Sequence, residues 1–233
     1  GDDIHYASNH DFVGIEFSIH GMLDGRVRVG MPGKFNADNA LAALAVCTLA
    51  LSGGSGVLDD HTKQAIIGSL VKVRVDGRME IAHVSKKCSV IVDYAHNAVS
   101  MESLLLTLRD YKPKRLVCVF GCGGNRARDR RYSMGEIGGK LADLSIITAD
   151  NSRFEKVEDI LADIKVGLAK TDGKYVEIPD RREAIEYSLS HAEDGDIIAI
   201  IGKGHEDYQE IEGVRYHFLD REVVQETVKK LHM

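Results

Sequence analysis

The last two thirds of the chain carry short apolar, β-rich runs at Val90–Asp93, Leu116–Phe120, Leu144–Thr148, Tyr175–Ile178 and Ile197–Ile201. Such runs read as strands buried on both faces. Helical patterns separate most of them. Met101, Leu104, Leu105 and Leu108 share one helix face, as do Val157, Ile160, Leu161, Ile164 and Leu168. A third helix is predicted from Arg181 to His191 after a cap at Asp180, and a fourth after Asp220 with Val224, Val228 and Leu231 inward. Alternation of this kind predicts an α/β fold: a Rossmann-like, doubly wound, mostly parallel sheet.

The first third reads differently. Phe12–His20 and Val27–Met31 alternate as strands joined at Asp24-Gly25. Asn39–Ser52 is a predicted helix, closed by Gly53-Gly54, with small or apolar residues on nearly every face. A helix apolar all round calls for burial on all sides. Little sequence precedes it to supply that cover, so its partner structure is expected to be missing. The pattern switches near Gly77, giving a boundary between 1–77 and 78–233.

Composition narrows the classes. The chain has 233 residues and a net charge of −6, which disfavours nonspecific nucleic-acid binding. The longest apolar run, Ala40–Leu51, is too short for a bilayer. No signal peptide is visible, and the chain opens on Gly1 rather than Met, as a piece of a longer protein would. Cys47, Cys88, Cys118 and Cys122 fit no zinc spacing and are expected as reduced, mostly buried thiols in the cytoplasm. No nucleic acid, membrane or metal is expected at this chain, and a monomer is.

Ligands of open parallel sheets bind beyond the carboxyl ends of the strands. Those ends read Asp93-Tyr94-Ala95-His96, then Gly121-Cys122-Gly123-Gly124-Asn125-Arg126, then Asp150-Asn151-Ser152-Arg153, then Gly202-Lys203-Gly204-His205-Glu206. The glycines could let backbone N–H groups approach an anion, or simply make a strand-to-helix turn. Arg126, Arg128, Arg130 and Arg131 form a basic cluster suited to carboxylate or phosphate, or to a solvated loop. Asn151 and Arg153 are expected at a helix start, with Ser152 and Glu155 spaced as a capping box. Asn151 and Arg153 would offer a carbonyl, an amide N–H and a cationic fork to an amino acid's ammonium and carboxylate. Lys203, His205 and Glu206 sit on a glycine turn. No G-x-x-x-x-G-K-[ST] loop, H-E-x-x-H or G-x-S-x-G occurs.

In this order the motifs resemble the Mur ligases, and within them the tripeptide synthetase type. Phe35–Ala43 resembles the family's asparagine-bearing helix, and Gly77-Arg78-Met79-Glu80 its G-R-M-E junction. Asp93–Asn97 resembles D-Y-A-H-[TN], Gly121–Arg131 the G-C-G-G-x-R loop, and Gly202–Glu206 matches G-K-G-H-E. The resemblance implies that 1–77 is the tail of a central P-loop ATPase domain and 78–233 the C-terminal domain. It implies a ligase joining meso-diaminopimelate to UDP-MurNAc-L-Ala-D-Glu through an acyl phosphate, within peptidoglycan synthesis and so cell shape and division. ATP and Mg2+ would be needed, with the P-loop, the metal-binding glutamate and a carbamylated lysine upstream. The chain alone is expected to be inactive, with no catalytic residue of its own. Asn36, Asn39, Arg78, Asp93 and His96 match ATP-side residues; Arg131, Asn151, Arg153, Gly202 and Glu206 match the amino-acid pocket.

In the family a D-N-P-R motif goes with meso-diaminopimelate, whose distal carboxylate L-lysine lacks. Here the motif is Asp150-Asn151-Ser152-Arg153, so meso-diaminopimelate is favoured over L-lysine. Ser152, Asp76 and Ala98-Val99 depart from the family pattern. Alternatives are a folylpolyglutamate or cyanophycin synthetase-type ligase, or a non-catalytic amino-acid-binding module.

Overall fold

A computed structural model describes residues 2–9 and 12–233. The chain divides into two compact units, Gly1–Val75 and Asp76–Met233.

The first unit is a three-stranded antiparallel sheet with two helices. Strands β1 (Asp2–Asn9), β2 (Phe12–Ile19) and β3 (Gly25–Val29) lie in that order. The sequence pattern did not anticipate β1. Helices α1 (Phe35–Leu51) and α2 (Asp60–Ser69) follow. Ile15, Phe17, Ile19, Val27 and Val29 of the sheet pack with Ala37, Ala40 and Leu44 of α1 and Ile67 of α2. The expectation of a helix from Asn39, buried on all sides, is corrected twice. The helix starts four residues earlier, with the Asn36 amide held by the Pro32 carbonyl at 2.7 Å. It buries one stripe, Asn36, Ala37, Ala40, Leu44 and Thr48, and leaves Val46, Leu49 and Leu51 exposed.

The second unit is a six-stranded sheet in the order β4-β5-β9-β6-β7-β8. Its strands are β4 (Glu80–Val84), β5 (Cys88–Asp93), β6 (Arg115–Phe120), β7 (Leu144–Ile147), β8 (Tyr175–Glu177) and β9 (Asp196–Ile201). Only β4 runs antiparallel to its neighbour; β5 to β9 are parallel throughout. Helices α3 (Ala98–Arg109), α4 (Arg128–Leu141) and α5 (Val157–Leu168) cover one face, and α6 (Arg181–Ser190) and α7 (Asp220–Leu231) the other. Strand alternation divides the core: Ile197, Ala199 and Ile201 of β9 join the first face, Ile198 and Ile200 the second. A hairpin, β10 (Tyr208–Ile211) and β11 (Val214–His217), precedes α7.

Asp180 caps α6 by accepting the Glu183 N–H at 2.9 Å, as its position predicts. Asp220 does not cap α7. It lies inside the first turn with zero exposure, paired to Arg181. The edge strand β8 is mostly exposed, against the expectation that all these strands are buried on both faces. Cys88, Cys118 and Cys122 are buried free thiols and Cys47 an exposed one. Among the described residues no helix is long and apolar enough to cross a membrane.

Candidate functional site

The carboxyl ends of β5, β6, β7 and β9 open onto one cavity of about 510 Å3. Its walls bring together Tyr94 and His96 after β5, Gly121 to Gly123 and Arg126 after β6, Asp150, Asn151 and Arg153 after β7, and Gly202 and Glu206 after β9. Arg130 of α4 and Tyr208 of β10 complete it.

The floor is a folded polar network. Asn151 lies 3% exposed, and its amide N–H donates to Glu206 Oε2 at 2.8 Å. Its carbonyl accepts from the Glu210 backbone N–H at 2.9 Å and from Lys203 Nζ at 3.3 Å. The Glu210 N–H can only donate, so this face of Asn151 must be the oxygen. Glu206 Oε1 accepts the Tyr94 hydroxyl at 3.2 Å. Burial, together with this carboxylate, holds the Tyr94 phenol above its ordinary pKa. The expectation that Asn151 offers a ligand both a carbonyl and an amide is therefore corrected. Its carbonyl is saturated, and one N–H is left.

The loop carrying Arg153 is not a helix start. Helix α5 begins at Val157, and Ser152 caps nothing. Arg153 instead has φ of 51° and bridges to the hairpin. Its N–H donates to the Glu210 carbonyl at 2.9 Å, and its carbonyl accepts from the Glu212 N–H at 2.6 Å. A left-handed non-glycine residue costs roughly 1–3 kcal/mol and persists only when its surroundings fix it. The hairpin does so here. The guanidinium donates to the Gly124 carbonyl at 2.9 Å and stands 3.7 Å from Glu210 Oε2.

The glycine loop packs backbone to backbone against the end of β7 and the loop that follows it. A Cβ on Gly124 would stand 1.9 Å from the Ser152 carbonyl oxygen, and one on Gly121 2.2 Å from that of Thr148. Only glycine permits that approach. The Gly124 N–H donates to the backbone carbonyl of Asn151 at 2.8 Å.

Arg131 is buried and absent from the cavity wall. Helices α4 and α5 pack at Gly135 and Gly167, where an added Cβ would meet a carbonyl oxygen of the other helix at 2.1 and 1.9 Å. One turn before Gly135, Arg131 therefore faces α5, and its guanidinium pairs with Glu155 at 2.8 Å and Asp163 at 3.0 Å. Arg128 faces Asp163 at 3.7 Å. Arg126 and Arg130 line the cavity with no carboxylate partner among the described residues.

Asp93 and Arg78 also lie off the cavity wall. Asp93 accepts the Met79 N–H at 2.7 Å and the Ala95 N–H at 2.8 Å, and burial raises its pKa. Arg78 stacks 5.0 Å over the Tyr94 ring. His96 Nδ1 donates to the Tyr94 backbone carbonyl, 2.9 Å away. Asn36 and Asn39 belong to the first unit, where the Asn39 amide donates to Asn36 at 3.0 Å. Lys203, read from the sequence as a cation on a glycine turn, is fully buried.

Sequence reasoning placed Tyr94 at the strand end without giving it a role, and missed Tyr208 and the hairpin as parts of the site. The alternation Tyr208-Gln-Glu-Ile and Val-Arg-Tyr-His217 around Glu212-Gly213 was the available hairpin signal. No phosphate-binding G-x-x-x-x-G-K-[ST] occurs in the sequence, and no three His, Cys, Asp or Glu side chains converge among the described residues.

Residues 77–204 match the family described as "Mur ligase, glutamate ligase domain". The chain is 38% identical over 218 residues to a UDP-N-acetylmuramoyl-L-alanyl-D-glutamate–2,6-diaminopimelate ligase of Alkaliphilus oremlandii, covering 93% of this chain and 43% of that protein. It is 44% identical over 194 residues to the enzyme so named from Aquifex aeolicus, covering 83% and 38%. A solved ligase of the same name superimposes with a TM-score of 0.74 at 34% identity, over 99% of this chain and 45% of that one. The chain thus spans about two fifths of the length of the curated relatives it matches.

Proposed function

Because the chain belongs to the Mur ligase family through its glutamate ligase domain, we propose that it is the C-terminal part of an ATP-dependent ligase. That ligase adds meso-diaminopimelate to UDP-MurNAc-L-Ala-D-Glu, in the cytoplasm, as a step of peptidoglycan synthesis.

The observation that carries this reading is the charge layout of the cavity. Arg126, Arg130 and Arg153 line it together with Asp150 and Glu206. An amino acid with two carboxylates and two ammonium groups needs both signs in one pocket. L-Lysine has no second carboxylate, so it would leave one guanidinium desolvated and unmatched. The relatives' names point to the same amino acid.

In this reading the chain's own residues bind and orient. Arg153 takes the distal carboxylate, with the free N–H of Asn151 beside it. Glu206 accepts from an ammonium group. Holding the second amine against an activated carboxyl makes amide formation effectively unimolecular. ATP and Mg2+ supply the activation. The residues of this chain do not form their cradle, so no step is assigned to them here. Asn36, Asn39, Arg78, Asp93 and His96 are assigned to the nucleotide side, and Arg131 to holding the pocket's frame.

The test uses the full-length protein with ATP, Mg2+ and UDP-MurNAc-L-Ala-D-Glu, offered meso-diaminopimelate or L-lysine. Phosphate release and product mass are read. Addition of meso-diaminopimelate at least a hundredfold faster supports the reading. Equal or preferred use of L-lysine, or no nucleotide-linked product, overturns it. The 233-residue chain alone is expected to form no product.

A further inference from the structure

Lys203 is fully buried, yet its ammonium has three acceptors: the Asn151 carbonyl at 3.3 Å, Glu206 Oε2 at 3.5 Å and the backbone carbonyl of Tyr208. Its stem runs from the β9 loop, and its partners lie on the β7 loop, the β9 loop and the hairpin. With Asn151, whose side chain bonds both Glu206 and the Glu210 N–H, it ties the three segments together. A buried lysine is costly unless its partners are well placed, so its location calls for a role.

We infer that Lys203 is a positioning residue for the amino-acid pocket: its ammonium fixes Asn151 with the carbonyl inward, leaving an amide N–H as what Asn151 offers to a substrate carboxylate. The inference rests on the functional reading above and deepens it. With Lys203 in place, the two faces of the Asn151 amide are held by opposite chemistry, donors at the oxygen and the Glu206 carboxylate at the nitrogen. Without it, one donor to the oxygen is lost and Glu206 loses a cation. The Glu210 N–H then holds the amide oxygen alone, the amide turns more easily, and in the turned state its oxygen would repel a carboxylate that its N–H attracts. Lys203 would thus set discrimination between an amino acid with a distal carboxylate and one without. It would not touch substrate itself.

The test uses the full-length ligase carrying Lys203→Met, Lys203→Gln and Lys203→Arg. Lys203→Met is expected to raise KM for meso-diaminopimelate at least tenfold. KM for ATP should stay within twofold, and the preference over L-lysine should narrow by a similar factor. Lys203→Gln, which keeps one donor for the Asn151 carbonyl, is expected to fall between Met and wild type. It carries the comparison if the Met variant fails to fold, as thermal unfolding would show. Lys203→Arg is expected to recover most of the preference. Equal rises in both KM values, or a loss of kcat alone with the preference intact, overturns the inference while leaving the functional reading standing. A wild-type enzyme that does not add meso-diaminopimelate removes that reading instead, and this inference with it.

Discussion

Arg131 and Glu155, 24 positions apart, form a two-pronged ion pair, with both terminal guanidinium nitrogens 2.8 Å from the two carboxylate oxygens. The same carboxylate accepts the Asn125 N–H, so the pair ties α4 to both loops beneath the cavity. The guanidinium holds Glu155 at about 2, against an ordinary 4.5. A depressed carboxyl pKa means stability that is complete above the unfolded value and lost as pH falls through the folded one. Glu155→Gln should therefore destabilise the chain at pH 7, and the gap to wild type should close between about 4.5 and 2. Urea unfolding at stepped pH checks this; a gap that stays constant down to pH 2 counts against the pair. Arg131→Met, which strands two carboxylates, should cost about 3 kcal/mol.

Arg126 and Arg130 differ from Arg131 in having no carboxylate partner among the described residues while lining the cavity. Removing either should leave stability within about 0.5 kcal/mol, as for surface positions. Each should still raise KM for meso-diaminopimelate in the full-length enzyme, by up to roughly fivefold, since a charge contact from these exposed guanidinium groups is worth up to about 1 kcal/mol. Unchanged KM in both variants would put the two arginines outside the pocket.

Arg153→Ala should raise that KM at least tenfold, since a charge-assisted contact is worth about 1.5–3 kcal/mol. Turnover of L-lysine, which has no distal carboxylate, should change little. Arg153 also donates to the Gly124 carbonyl, so Arg153→Lys is the needed companion. It keeps charge without the planar fork and should lie nearer to Ala than to wild type. A Lys variant with wild-type KM would mean that charge alone is read there.

The mostly parallel sheet and the site location were legible because the parallel strands are apolar runs whose ends carry the polar motifs. Asn151, Arg153, Gly202 and Glu206 meet in one cavity for that reason. Arg131 was a different case. Its spacing to Met134, Gly135 and Gly138 already placed it on the buried face of α4, but a run of arginines masked the period. The partners of Lys203 and Asn151 were not legible. Besides Glu206 and each other, they come from β10, which joins through backbone groups that no side-chain pattern announces. The left-handed Arg153 likewise depends on the hairpin, not on its own sequence.

Arg181 and Asp220 form the most deeply buried ion pair of the second unit, both with no exposure, bonded at 2.7 Å through Nε and through Nη2. Arg181 also donates to the carbonyls of Ala149 at 3.2 Å and Ile201 at 3.1 Å. Those residues immediately precede Asp150 and Gly202 on the cavity wall. Asp220→Ala leaves an uncompensated buried cation and should cost about 3–5 kcal/mol. Replacing both by leucine removes the stranded charge, so the double variant should regain much of that loss. It cannot restore the donors to the two carbonyls. Full-length Arg181→Leu/Asp220→Leu is therefore expected to combine recovered unfolding stability with a raised KM for meso-diaminopimelate. Strictly additive losses in the double variant would mean that the two side chains are not coupled. A recovered KM alongside recovered stability would mean that Arg181 holds the core together without shaping the cavity above it.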